Sequence, residues 1–327
     1  MNHRDIACRG GPDDPSPGLP RLSELPDLLG RRAGGAELRG AVLAPGQRTL
    51  EALERFTALL KGVLTVSLTA YASPCVPGSV RSELGRLGCK LVEGADSVER
   101  LSRWLSGTPG TGGEKGTRLH FILAGDGLRL EDVHVACSSA PGSRTFSHVA
   151  VLDVASFPRC LLVTDGLVNA RPDVETRLGI IRNAVSVSQA LGNRSPKVAL
   201  LAAVEQVHAG VPVTVESAEI TKMSKTDRTG GAIVEGPLSF DVALVQEVAE
   251  DKGARGPVAG RADVLVGSSV EVANGVYAAL VLMAGAASAG VVVGPETPLV
   301  VPFPYDSPGG ICNSICLASL IRVAEMD

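Results

Sequence analysis

Short apolar runs alternate with amphipathic stretches along most of the chain, and the alternation predicts strands and helices in turn. Leu38 to Ala44 reads as a first strand, Thr49 to Lys61 as a helix and Val63 to Leu68 as a second strand. Ser79 to Leu87 reads as helical, Cys89 to Val92 as extended, and Asp96 to Ser106 as a helix with Asp96 at its N-cap. A strand over Leu119 to Leu123 ends on Ala124-Gly125-Asp126-Gly127. Ser147 to Asp153 and Cys160 to Asp165 read as paired strands, the second ending in the polar turn Asp165-Gly166-Leu167-Val168-Asn169. Pro172 opens a helix over Asp173 to Leu191, and Gly192 closes it. Lys197 to Ala203 is a further strand and Thr214 to Ser224 a helix.

The stretch from Gly231 to Val266 condenses the pattern. A strand at Ala232 to Val234 breaks on Glu235-Gly236-Pro237, and an amphipathic helix with Leu238, Val242, Val245 and Val248 at helical spacing follows. Gly253 and Pro257 end that helix before the strand Ala262 to Val266. Beyond it come a helix from Glu271 to Ala286, strands at Val291 to Val293 and Leu299 to Val301, and a helix over Gly310 to Ala324. Repeated β-α alternation predicts an α/β fold, a mostly parallel sheet with helices on both faces. Ligands of open α/β sheets bind at the carboxyl ends of strands, which directs attention to the polar turns at Asp165 and Glu235. The break near residues 142 to 150 and the return at residue 290 suggest two lobes with a cleft. The expected division is a disordered tail over 1–36, an N-terminal α/β lobe over 37–146 continued by 291–327, and a second α/β lobe over 147–290.

Composition narrows the function classes. With 45% apolar residues among 327, the chain can bury a large core. A net charge of −4 supplies no basic field for nucleic acid, and 3% aromatics supply no base-stacking platform. The seven cysteines are scattered without a CxxC pair, so a reducing cytoplasmic setting is expected. Cys312 and Cys316 lie one helical turn apart with no matching His/Cys cluster, so no metal site is expected. Val272 to Pro295 carries no charge, but Asn274, Gly275, Gly285, Ser288 and Gly290 interrupt it, and it reads as a buried helix and strand, not a membrane span. The glycines of Gly107 to Gly116 lack the Walker spacing and read as a surface linker.

From about Ser147 to Ile321 the order of local motifs resembles the phosphate acetyl/butyryltransferase family, the butyryl branch more closely. The matching pieces include SHVAVLDV (147–154), LLVTDGLVNARPDVE (161–175), NAVSVSQALG (183–192), GAIVEGPLSFD (231–241), EVANGVYAALV (271–281) and DSPGGICNSICLA (306–318). The resemblance implies an isocitrate/isopropylmalate dehydrogenase-like fold and a homo-oligomer. It implies acyl exchange between coenzyme A and inorganic phosphate, with the coenzyme A thioester as substrate, no further cofactor, and no nucleic-acid or membrane partner. Such chemistry calls for cations or backbone N–H donors around phosphate and a polar group at the thioester carbonyl.

The charged positions depart from the family's pattern. Where the butyryl branch ends its last strand in Ser-Arg-Ala-Asp-Ser, this chain has Phe303-Pro304-Tyr305-Asp306-Ser307. Asp306 and Ser307 match, while Phe303 and Pro304 replace the Ser-Arg pair. Glu235 stands for the Asp of an Asp-Gly-Pro, and Ala279 for a Lys. By resemblance Asp306, Ser307 and Glu235 are the candidate catalytic groups. Asn169, Glu271, Asn274 and Asn313 are candidate substrate contacts. Lys222, Arg228 and Arg261 are candidate replacements for the lost phosphate cation, though each is also readable as a solvated charge, with Asp263 or Glu235 as partners for Arg261. His148 reads as a core histidine more readily than as a general base. The alternative to an active enzyme is a degraded paralogue that binds acyl-CoA or serves as a structural or regulatory partner.

Overall fold

The computed structural model describes residues 19–94, 96–106, 118–138, 140, 144–226 and 228–326. The expected linker at 107–116 and residues 1–18 of the expected tail lie outside them. A 3-10 turn at Leu22–Glu24 leads into α1 (Leu25–Ala33), followed by β1 (Leu38–Leu43), α2 (Gln47–Leu60), β2 (Val66–Ala72), α3 (Gly78–Arg86), β3 (Lys90–Glu93), α4 (Ser97–Leu105), β4 (Phe121–Ala124) and α5 (Leu130–Ser138). The middle of the chain forms β5 (Ser147–Asp153), β6 (Leu161–Thr164), α6 (Val174–Ala190), β7 (Lys197–Leu201), α7 (Pro212–Ser224), β8 (Ile233–Leu238), α8 (Phe240–Leu244), α9 (Gln246–Asp251), β9 (Val264–Val266) and α10 (Val270–Leu282). It closes with β10 (Ala287–Val293), β11 (Leu299–Val300) and α11 (Pro308–Met326).

The chain forms two compact units. The inserted unit holds Ser147–Ala287 together with the described residues up to Leu22; the split unit holds Ser23–Phe146 and Ser288–Asp327. Within the split unit the strands run in the order β3-β2-β1-β4-β11-β10, and within the inserted unit β5-β6-β9-β7-β8. Within each unit the ladders are parallel except β5–β6 and β10–β11. This is the expected α/β class with a mostly parallel sheet. Strands buried on both faces, such as Leu161–Thr164 and Phe121–Ala124, account for the continuous apolar runs of the sequence.

Three expectations are corrected. Residues 25–33 of the expected tail are helical: Leu22, Leu25 and Leu29 are buried, and α1 packs against α11 and α2. Their helical spacing is masked in the sequence by the surrounding Pro, Gly and Arg. Strand β8 does not stop at Glu235-Gly236-Pro237 but continues to Leu238, with a register shift against β7 between Ala199 and Leu201. An edge strand accommodates a proline because no second neighbour requires its missing N–H. The single helix expected after it is two, α8 and α9, divided where Val245 turns extended (φ −113°, ψ 113°).

Among the described residues only α11 is long and apolar enough to cross a membrane by length and composition, and 72% of that window is buried in the protein. No disulfide links the six described cysteines.

Candidate functional site

In the inserted unit the polar groups gather where β6 ends. Asp165, 3% exposed, is the centre of that turn. Its Oδ1 accepts from the backbone N–H groups of His148, Leu167 and Val168, each at 3.0 Å. Its Oδ2 accepts from the Asn169 backbone N–H at 2.9 Å and from Asn169 Nδ2 at 2.6 Å. α10 is tied to the same turn: Asn274 Nδ2 donates to the Gly166 carbonyl at 3.0 Å and Val270 N–H to the Ala170 carbonyl at 3.1 Å. The structure therefore brings Asn169, Asn274 and, one turn earlier on α10, Glu271 to one edge. The Ser269 hydroxyl first, then the backbone hydrogen bond of Glu271 itself, and least the charge of Arg171, lower the pKa of the exposed Glu271 carboxyl. Asn183, on α6, donates to Ser147 Oγ at 2.8 Å.

Two buried side chains hold this edge. His148 is 1% exposed, its ring edge-on to Tyr277 at 6.2 Å. Burial lowers its pKa to about 4, against an opposing pull from Asp165, so the ring is neutral at pH 7. It is a core histidine. Arg177 in the first turn of α6 is also buried. Its Nη2 reaches the carbonyls of Pro172 (3.4 Å) and Ser268 (3.3 Å) and the Glu216 carboxylate (3.2 Å), joining the loops after β6 and β9 to α7. Burial lowers its pKa and Glu216 opposes the shift; the guanidinium stays charged.

The other candidates of this unit lie elsewhere. Glu235 is on β8, three strands from β6 and so about 14 Å away at ordinary strand spacing. Its Oε2 accepts from the Val258 N–H at 2.9 Å, and a Cβ on Gly256 would stand 1.6 Å from its Oε1, so this carboxylate anchors the 256–258 turn. Arg261 precedes β9, which runs parallel to β6, and so sits at the amino edge of the sheet, opposite Asn169; it is exposed and reaches Gln246 Oε1 at 3.4 Å. Arg228 pairs with Glu175 at 2.9 Å, and Lys222 is exposed in the last turn of α7. Glu235 and Arg261 thus lie away from the Asn169 edge, while Arg228 reaches the first turn of α6 through Glu175.

In the split unit the polar groups surround the start of α11. Ser307 Oγ accepts from the Gly310 N–H at 3.1 Å, capping the helix. Asp306 is buried and its Oδ2 accepts from the Phe303 N–H at 2.8 Å, closing the 303–306 turn. Asn313, within α11, donates to the Ser288 carbonyl at 3.3 Å. Phe303 is itself buried, stacked on Tyr305 with ring centroids 5.6 Å apart.

A cation does reach this turn, from a different element. Arg48 in the first turn of α2 directs Nη1 at the carbonyls of Phe303 (3.1 Å), Pro304 (2.9 Å) and Asp306 (3.3 Å), and Nη2 at Asp126 Oδ1 (3.3 Å). Asp126 also accepts from the Thr49 N–H at 3.2 Å, so both ends of the contact are anchored at the start of α2. Nothing in the sequence pattern marks Arg48, because the carbonyls it reaches lie 255 to 258 positions away. Arg48→Ala is expected to free the turn, at about 2 kcal/mol for a charged donor to several carbonyls. The check is thermal unfolding, with the midpoint lower by roughly 5 °C.

No group of three or more His, Cys, Asp or Glu among the described residues could hold a metal ion. What the two units present is an α/β protein with amide and hydroxyl groups at the carboxyl edge of a largely parallel sheet and a serine-capped helix after the last strand. The chain belongs to the phosphate acetyl/butaryl transferase family, whose model matches residues 127–318, more than half of it. Phosphate butyryltransferase of Clostridium acetobutylicum is 38% identical over 178 residues, 54% of this chain and 59% of that one. Phosphate acetyltransferase of Rhizobium meliloti is 39% identical over 206 residues, 62% of this chain and 65% of that one. The aligned part thus spans less than two thirds of these curated relatives. The crystal structure of a branched-chain phosphotransacylase from Enterococcus faecalis superposes with a TM-score of 0.68 at 25% identity, covering 87% of this chain and 99% of that one. The family expected from the motif order is the one found.

Proposed function

We propose that the protein exchanges an acyl group between coenzyme A and inorganic phosphate. Atoms balance as acyl-CoA plus phosphate to acyl phosphate plus coenzyme A: a phosphate oxygen forms the new bond to the carbonyl carbon, and the C–S bond breaks. The observation that carries this reading is the family match across residues 127–318, a stretch containing both the Asn169 edge and the Asp306-Ser307 turn. Amide groups at the edge suit a neutral thioester, and the N-terminal turn of α11 carries the partial positive charge that an oxyanion requires. The reading requires no cofactor beyond the coenzyme A thioester. It places the protein in the cytoplasm as a homo-oligomer acting on small molecules. The exposed apolar residues Leu282 and Met283, 62% and 87% accessible in an uncharged stretch, suit a subunit contact.

A second reading, an acyl-CoA-binding paralogue without turnover, is favoured by one observation: the Ser-Arg pair is Phe303-Pro304, and neither residue carries charge. A thiol-release assay separates the two. Purified protein is mixed with acetyl-, butyryl- and longer acyl-CoAs with and without phosphate, and free coenzyme A is followed with a thiol reagent. Phosphate-dependent release is the expected result. Release no faster than the protein-free blank, with acyl-CoA binding seen by calorimetry, establishes the second reading instead.

A further inference from the structure

In the split unit a guanidinium near the start of α4 has no acid for a partner. Arg100 is half-buried and lies over the Tyr71 ring, its Cζ 4.2 Å from the ring centroid. Trp104, one turn further along α4, packs edge-on to the same ring with centroids 5.5 Å apart. The Arg100 side chain makes no hydrogen bond or ion pair with the described residues. Its Nε is buried, and the hydroxyl of Ser97, on the same helix face one turn earlier, is also buried without a partner. Buried donors are satisfied almost throughout folded proteins, so two orphans a turn apart mark a place for an acceptor that the chain does not supply. The acids nearby are engaged elsewhere. Asp96 Oδ1 accepts from the Val98 and Glu99 N–H groups and caps α4, Glu99 pairs with Arg103, and Glu93 at the end of β3 pairs with Arg81 at 2.8 Å.

Placement and shape indicate the acceptor. Tyr71 is next to last on β2, and β2, β1, β4 and β11 are parallel neighbours, so it shares the carboxyl edge of the sheet with the Asp306-Ser307 turn. Three strand spacings, about 14 Å, separate β2 from β11. Of the Arg100 nitrogens only Nε is sealed off, so the Nη edge reaches solvent. A guanidinium held against an aromatic face offers that edge in a fixed plane, the geometry that grips two oxygens of a phosphate. We propose that Arg100 binds a phosphate monoester at this edge, either the 3′-phosphate of coenzyme A or free phosphate. The first source rests on the acyl-transfer reading and is the one expected: the reacting phosphate belongs at the Asp306-Ser307 turn, and the pantetheine arm bridges the distance from there to Arg100.

The test uses calorimetry on wild type, Arg100→Ala and Arg100→Lys with coenzyme A, dephospho-coenzyme A and inorganic phosphate. Arg100→Ala is expected to weaken coenzyme A roughly tenfold and to leave dephospho-coenzyme A within about twofold, because the second ligand lacks the group that Arg100 grips. Arg100→Lys, which keeps the charge without the planar fork, recovers part of that loss and keeps the test open should Arg100→Ala not fold. Weakening confined to inorganic phosphate assigns the site to the free anion. Trp104 is the only tryptophan of the chain and adds a readout that needs no turnover. Adenosine 3′,5′-bisphosphate is expected to shift its emission in the wild type and not in Arg100→Ala. Equal weakening of coenzyme A and dephospho-coenzyme A, or no change for any of the three ligands in either variant, overturns the proposal while acyl transfer by the wild type stands. Wild-type protein with no phosphate-dependent thiol release, but with bisphosphate binding that Arg100→Ala abolishes, overturns the acyl-transfer reading and leaves the phosphate site in place.

Discussion

Gly40→Ala is expected to destabilise the split unit by about 3 kcal/mol, the upper part of the range for overpacking a core. Gly40 lies on β1 in register with Phe121 on β4. A Cβ at position 40 would stand 2.1 Å from Phe121 Cζ, with two further ring carbons at 2.6 Å. The ring has no free direction. Phe121 is 0% exposed and is packed edge-on against Phe56 with centroids 5.7 Å apart. Alanine would also reduce the entropy of the unfolded chain, a gain of at most about 1 kcal/mol, so the clash prevails. Urea unfolding gives the measurement. Phe121→Leu in the Gly40→Ala background should recover part of the loss, since the shorter side chain vacates the contact. An unchanged midpoint for Gly40→Ala would mean that Phe121 moves freely in its site.

Acid is expected to act through His148. Its pKa is near 6.5 unfolded and about 4 in the folded protein, because burial disfavours the imidazolium. Folding therefore excludes a proton. The stabilisation from keeping the ring neutral is present in full above pH 6.5 and is lost as pH falls toward 4, reaching roughly 3 kcal/mol at 1.36 kcal/mol per unit. His120, in the split unit, shifts in the same direction, by burial first and then by the charges of Arg322 and Arg39. The two contributions separate by substitution. His148→Leu should be less stable at pH 7 yet should lose less on going from pH 7 to pH 4, and the difference from wild type is the His148 share. Equal pH slopes for the two proteins would sink the assignment.

Much of the fold was legible because buried parallel strands advertise themselves. Phe121 to Ala124, Leu161 to Val163 and Val198 to Ala203 stand out as uninterrupted apolar runs, and the structure has strands at all three places. The errors cluster where one tertiary contact decides the outcome. Leu22, Leu25 and Leu29 do not announce a helix until α11 is there to receive them. Proline at position 237 ends a strand only if both neighbours demand an N–H, and β8 has one neighbour. The candidate site divided along similar lines. Asn169 and Asn274 follow from motifs at strand and helix ends, and the structure joins them through Gly166 and Asp165. Arg261 was drawn from its charge alone, and strand direction puts it at the other edge of the sheet. Arg48 and Arg177 escaped notice because each acts across the fold, on carbonyls with no side-chain signature.

The division of the chain also orders its synthesis. Residues 147–287 leave the ribosome as one continuous block, so the β6–β9–β7–β8 ladder can close while translation is still in progress. The split unit waits. Its β1–β4 ladder exists early, but β11, which pairs with β4, and α11, which covers α1 and α2, emerge only after the whole insert. Until then Leu25, Leu29 and the inward face of α2 are open hydrophobic surface on a nascent chain. That interval is where holdase chaperones would engage it, and synonymous-codon changes that slow translation across 147–287 would lengthen it.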